Sequence, residues 1–128
     1  SSIDALENKR DLEYINFENN FIEDISPLKN SYKLETVYLG NNRIANIDAL
    51  QDKKLIRSLE LEENRITNIE SLSSVEAVER LYLNKNNIKD FSPIANLKNL
   101  ETLFVSQNQT LNFDVLHEIG LNLRNKDF

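Results

Sequence analysis

The chain repeats itself with a fixed period of 22 residues, and nothing else in it narrows the possible folds as much. With Leu12, Leu34, Ile56, Val78 and Leu100 taken as position 1, position 4 reads Ile15, Val37, Leu59, Leu81 and Leu103. Position 6 reads Phe17, Leu39, Leu61, Leu83 and Val105, and position 9 is Asn in every unit: Asn20, Asn42, Asn64, Asn86 and Asn108. Position 11 reads Ile22, Ile44, Ile66, Ile88 and Thr110; position 14 reads Ile25, Ile47, Ile69, Phe91 and Phe113; position 17 reads Leu28, Leu50, Leu72, Ile94 and Leu116. One such unit cannot bury its own apolar set, but stacked units bury theirs against each other, which is the logic of a solenoid.

The spacing assigns local structure to each coil. Positions 4 and 6 alternate as a short strand does, so positions 4–6 are expected to build a parallel sheet, one strand per coil. Positions 11, 14 and 17 recur at about three residues, which suits a return path of 3₁₀ or irregular turns. The position-9 Asn is expected to turn inward and satisfy backbone groups left unpaired by the bend. That reading makes Asn108-Gln109-Thr110 a piece of scaffold and not a glycan acceptor, although it has the sequon form.

The pattern L-x-x-L-x-L-x-x-N-x-I-x-x-I-x-x-L resembles the 22-residue leucine-rich repeats. The phrases DISPLKN (Asp24 to Asn30) and DFSPIANLKNL (Asp90 to Leu100) resemble the style of internalin-type bacterial surface proteins. The likeness covers about residues 3–117. It implies an α/β fold: a solenoid with short parallel strands on the concave face and 3₁₀, irregular or short helical turns on the convex face. It also implies a protein-binding, non-enzymatic module that is displayed on a bacterial surface or secreted. An intracellular adaptor similar to the phosphatase-regulating repeats, or a structural spacer without its own ligand, fits the same pattern.

The whole chain, 1–128, reads as a single domain. A half repeat spans 1–11, with Ile3 at position 14 and Leu6 at position 17. Repeats follow at 12–33, 34–55, 56–77, 78–99 and 100–121, then a tail at 122–128. The last unit departs from the pattern. Phe113, Leu116 and Ile119 suggest a helical turn over 112–119 with Asn112 as its N-cap. Leu121 and Leu123 suggest a last, shortened strand, and RNKDF carries no inward set. Neither end shows a dedicated cap, so the chain is expected to be a piece of a longer protein, monomeric but with coil ends open to end-to-end association.

Chemistry-bearing constellations are scarce. There is no Cys and one His, His117, which sets aside thiol nucleophiles, disulfides and thiolate metal sites. Glu60, Glu62 and Glu63 lie close in sequence, but no calcium-loop spacing accompanies them. No G-x-S-x-G or glycine-rich phosphate loop is present. No catalytic residue, cofactor or metal is therefore expected. The net charge of −6 argues against a nucleic-acid partner, and no apolar run is long enough to insert in a membrane.

The scaffold leaves positions 2, 3, 5, 7 and 8 free on the strand side. Position 3 reads Tyr14, Thr36, Ser58, Arg80 and Thr102; position 5 reads Asn16, Tyr38, Glu60, Tyr82 and Phe104; position 7 reads Glu18, Gly40, Glu62, Asn84 and Ser106. Exposed aromatics beside charges are common interface anchors. Tyr14, Tyr38, Tyr82 and Phe104 are thus the expected anchors for a protein partner, with Glu60, Glu62 and Arg80 setting specificity. Cross-strand pairing within the sheet is the alternative use of the same aromatics. Over these positions eight acidic residues face three basic ones, −5 of the chain's −6, so a partner with basic rim residues is expected to be steered here.

Overall fold

The computed structural model describes residues 2–128. Six short strands form one parallel sheet in strict chain order: β1 (Tyr14–Asn16), β2 (Thr36–Tyr38), β3 (Ser58–Glu60), β4 (Arg80–Tyr82), β5 (Thr102–Phe104) and β6 (Asn125–Lys126). Neighbouring strands from β1 to β5 pair without slippage, as in Ile15 with Val37, Val37 with Leu59 and Leu59 with Leu81. This is the solenoid of stacked coils that the periodicity implies. The strands occupy positions 3–5, one residue earlier than the expected 4–6. The ladder itself continues one step further, because the position-6 amide still bonds across, as in Leu39 N–H to Glu60 O at 2.9 Å.

On the opposite side the chain returns through 3₁₀ turns at Asp4–Leu6, Ser26–Leu28, Asp48–Leu50, Glu70–Ser74 and Ser92–Ile94. The first begins where Ser2 Oγ accepts Asp4 N–H at 3.2 Å, and the last four where a position-13 Asp or Asn accepts the amide two residues on. The bonds are Asp24 to Ser26, Asn46 to Asp48, Asn68 to Glu70 and Asp90 to Ser92, all at 2.8–2.9 Å. Such side chains favour this local bond over helix propagation, which keeps each turn short. The pull of those amides holds the Asp24 and Asp90 carboxyls below their usual range.

Between sheet and turns runs one apolar core. The residues at positions 14 and 17 of the central coils, such as Ile47, Leu50, Ile69 and Leu72, are essentially inaccessible, as are Leu39, Leu61 and Leu83 at position 6. The Asn column completes it. Asn64 Oδ1 accepts Ile44 N–H at 3.0 Å, and its Nδ2 donates to Leu39 O of the previous coil and to Leu61 O and Glu62 O of its own. Asn42 and Asn86 repeat that set and are buried. Asn20 and Asn108 depart from the expectation of burial. Asn20 lies in the first full coil, is exposed, and donates to Phe17 O and Glu18 O of that coil. Asn108 is half-buried because the coil beyond it is short, yet its amide makes the full set of bonds.

Position 8 turns the chain sharply. Asn19, Asn41, Glu63, Lys85 and Gln107 all have φ between 54° and 61°. That left-handed conformation suits Asn but is unfavourable for Glu, Lys and Gln by roughly 1–2 kcal/mol. The Asn bonds on the next residue fix the bend and offset this cost.

The last coil changes design. Residues Phe113–Gly120 form the helix α1, close to the expected 112–119. Asn112 occupies the N-cap position but makes no capping bond with its side chain. Its amide instead reaches back, donating to Asp90 Oδ1 at 2.7 Å and accepting from Phe91 N–H. Phe113, expected at an inward position, is 69% exposed, because the helix turns Leu116 into the core in its place. The helix also takes up one extra residue, so that Thr102 pairs with Asn125, 23 residues on. The closing strand therefore falls at Asn125–Lys126 and not at Leu121 and Leu123; Leu121 is exposed and Leu123 packs against the core edge. The expected tail thus joins the fold: Asp127 accepts the Val105 and Ser106 amides at 2.7 and 3.1 Å. Among the described residues no helix is long and apolar enough to cross a membrane.

Candidate functional site on the concave face

Because the central residue of each strand points into the core, its two neighbours point out, and the parallel register stacks them in rows. All seven candidate residues stand on this face. Tyr14 and Arg80 lie in the position-3 row, and Tyr38, Glu60, Tyr82 and Phe104 lie in the position-5 row. Glu62 follows in the position-7 row, just past β3.

The aromatics form two pairs. Tyr14 meets Tyr38 edge to face, with centroids 5.8 Å apart and planes at 78°. Tyr82 stacks on Phe104 at 4.8 Å and 19°. Tyr14 is the most open of the four at 59% exposure, whereas the other three are half-buried. Glu60 separates the two pairs, since the register runs Tyr38, Glu60, Tyr82 across β2, β3 and β4. At the position-3 end of this gap Arg80 Nε donates to Ser58 Oγ at 2.8 Å, which covers Ser58 and fixes the guanidinium. Glu79 lies 3.7 Å from the same group.

The position-7 end is acidic. Gly40 is buried there, and its missing side chain makes room for Glu62: an added Cβ would collide with Glu62 Oε1 and lie 2.8 Å from its Cδ. Glu62 thus leans across β2 toward Glu18. Burial raises the Glu62 carboxyl, its own backbone N–H relieves part of that, and the Glu18 and Glu63 charges raise it further. Burial raises Glu60 to about 7, helped by the charges of Glu62 and Glu18 and by a carboxyl–carboxylate hydrogen bond with Glu18. Glu62 Oε2 and Asn84 Oδ1 are covered and have no hydrogen-bond partner. Among the described residues no group of His, Cys, Asp or Glu is arranged to hold a metal ion.

Two features of this face and one on the return side of the coils escape the sequence reading. Gly40 reads as a gap in a row, yet it is what lets Glu62 fold over; its only signal is being the sole Gly at a strand-side position. Ser58 reads as neutral, yet it anchors Arg80. Lys53, in the last stretch of the second coil, is fully covered, donating to Lys29 O at 2.7 Å with its ammonium 4.1 Å from the Tyr32 ring. Burial lowers its pKa. Its position holds Ser31, Val75 and Leu97 in other coils, so a lysine there carries no sequence signal of burial.

This coil geometry and the sequence agree on a class. The pattern described as Leucine Rich repeats (2 copies) matches residues 10–52 and 76–117, and the chain belongs to the leucine-rich repeat family. Among solved structures, internalin C2 of Listeria monocytogenes superposes over 89% of this chain and 50% of its own, with a TM-score of 0.82 and 25% identity. Internalin F of the same species covers 99% of this chain and 51% of its own, at TM-score 0.70 and 22% identity. A leucine-rich repeat protein of Leptospira interrogans covers all of this chain and 34% of its own, at TM-score 0.88 and 19% identity. The chain therefore spans about half the length of the internalins it resembles. No curated protein matches it.

Proposed function

We propose that the chain is a non-enzymatic protein-recognition module whose concave face binds a protein partner. The observation that carries this reading is the pair of aromatic clusters, Tyr14 with Tyr38 and Tyr82 with Phe104, standing on a sheet face that the core does not use. The fold needs none of these side chains, and rigid aromatics supply contact area at little entropic cost. Arg80, fixed by Ser58, and the half-buried Glu60 and Glu62 supply directional charge. The likeness to two Listeria internalins supports surface display or secretion in a bacterium.

The test begins with capture of a partner on the immobilised chain and its purification. Calorimetry then measures the partner against wild type and against Tyr38→Ala, Tyr82→Ala and Phe104→Ala. Each substitution is expected to weaken binding by about 2 kcal/mol while leaving the unfolding midpoint nearly unchanged. Unaltered affinity in all three moves the site off the concave face.

A further inference from the structure

The gap between the aromatic pairs has the chemistry of a receptor for a cation. Its walls are Tyr38 and Tyr82, in register on β2 and β4 with β3 between them. Two strand spacings of about 4.8 Å separate their backbones. A flat guanidinium in van der Waals contact with a ring on either side needs roughly 7 Å. Each wall is braced from behind, Tyr38 by Tyr14 and Tyr82 by Phe104, so neither ring falls across the opening. The floor is Glu60, and the Gly40 vacancy brings Glu62 over toward Glu18 at one end. Rings on this scaffold already take cations elsewhere: Arg43 lies 4.6 Å from the Phe21 centroid and Lys53 lies 4.1 Å from that of Tyr32.

Resting on the concave-face reading above, we propose that this gap seats one basic side chain of the partner, an arginine or a lysine, between the Tyr38 and Tyr82 rings, with its cation held by Glu60, Glu62 and Glu18. The local charge is unbalanced in the free protein. Around Glu60 stand Glu18 from the β1 coil, Tyr38 from β2, Glu62 from its own coil and Tyr82 from β4, while Arg80 lies in the neighbouring row, engaged by Ser58 and near Glu79. Glu63 pairs with Lys85 at 3.6 Å on the neighbouring bend. An incoming cation replaces the proton that the crowded carboxylates otherwise retain, so binding releases a proton near neutral pH. A bare metal ion fits less well, because no carboxylate group here converges in ligating geometry and rings make up two of the walls.

The test uses a blocked arginine-containing peptide, Gly-Gly-Arg-Gly-Gly, titrated into the isotope-labelled chain by NMR. Its twin with neutral citrulline in place of arginine, and calcium chloride, are run beside it. The arginine peptide is expected to give saturable shifts centred on Tyr38, Gly40, Glu60 and Glu62. Citrulline is expected to weaken binding at least about tenfold, as are Glu60→Gln and Tyr82→Leu. Affinity is expected to fall as pH drops from about 8 to about 5.5. Absent or scattered shifts, equal binding of the citrulline peptide, or calcium alone saturating these amides each overturn the proposal. If the slot is silent while Tyr14→Ala and Phe104→Ala still abolish partner binding, the slot is wrong and the concave-face reading stands. If none of the four aromatics affects the partner, the reading itself fails.

Discussion

At Asn64 one carboxamide joins two coils, accepting one buried amide and donating to carbonyls on both sides of the junction. Truncation leaves Ile44 N–H buried and unpaired, worth about 1–3 kcal/mol, and takes one of two donors from each of Leu39 O, Leu61 O and Glu62 O, which keep Asn42 Nδ2, Asn86 Nδ2 and Asn41 N–H. Asn64→Ala is therefore expected to cost about 2–3 kcal/mol by urea denaturation. Asn20→Ala removes only exposed bonds within one coil and is expected to cost under about 1 kcal/mol. Equal losses would show that the ladder does not act through burial. An invariant Asn in a fixed register announces its role in the sequence, but its burial depends on a full coil on either side. The period therefore marks Asn42, Asn64 and Asn86 correctly and overstates Asn20. The same limit hides Gly40, which the Glu62 side chain of the next coil crosses, and Lys53, whose own side chain reaches a carbonyl of the previous coil.

At the scale of elements, the strands and 3₁₀ turns were legible because each is set by short-range alternation and spacing. The last coil was legible only in outline. Its helix was expected, but the extra residue it absorbs is invisible until β6 pairs with β5. Leu116 is buried on α1 and Phe113 is not. Leu116→Ala is thus expected to cost about 2–4 kcal/mol, and Phe113→Ala less than about 0.5 kcal/mol, by chemical denaturation. Asp127 takes the two amides that would otherwise end the sheet unpaired, one bond at 2.7 Å. Asp127→Ala is expected to raise hydrogen exchange at Val105 and Ser106 while leaving Leu59 and Leu81 protected, with about 1 kcal/mol lost. Uniform exchange along the sheet would mean that Asp127 holds nothing in place.

For the whole molecule, the concave carboxylates tie stability to pH. Glu60 has its folded pKa raised to about 7 from 4.5, and Glu62 shifts in the same direction. The stability from holding their protons is complete below the unfolded value and is lost as pH rises through the folded one. The chain is therefore expected to lose stability between about pH 5 and about pH 8, by about 1 kcal/mol once solvent screening of these part-exposed groups is allowed for. Glu60→Gln should flatten most of that slope in thermal melts at fixed salt. A wild-type midpoint that stays level or rises over the window would contradict the crowded-carboxylate geometry. Asp24 and Asp90, whose pKa values are lowered, act below this window: their contribution is present above about pH 4 and fades as pH falls.

Every junction between central coils uses the same vocabulary of contacts. An Asn accepts the amide 20 residues back and donates to the carbonyl 25 residues back, again and again down the stack. Such interfaces are interchangeable, as bricks cut from one mould are. Whole turns can be duplicated or excised by recombination without new joints having to be invented. The reach of the recognition surface is then a matter of copy number, while its chemistry is written separately in the outward rows.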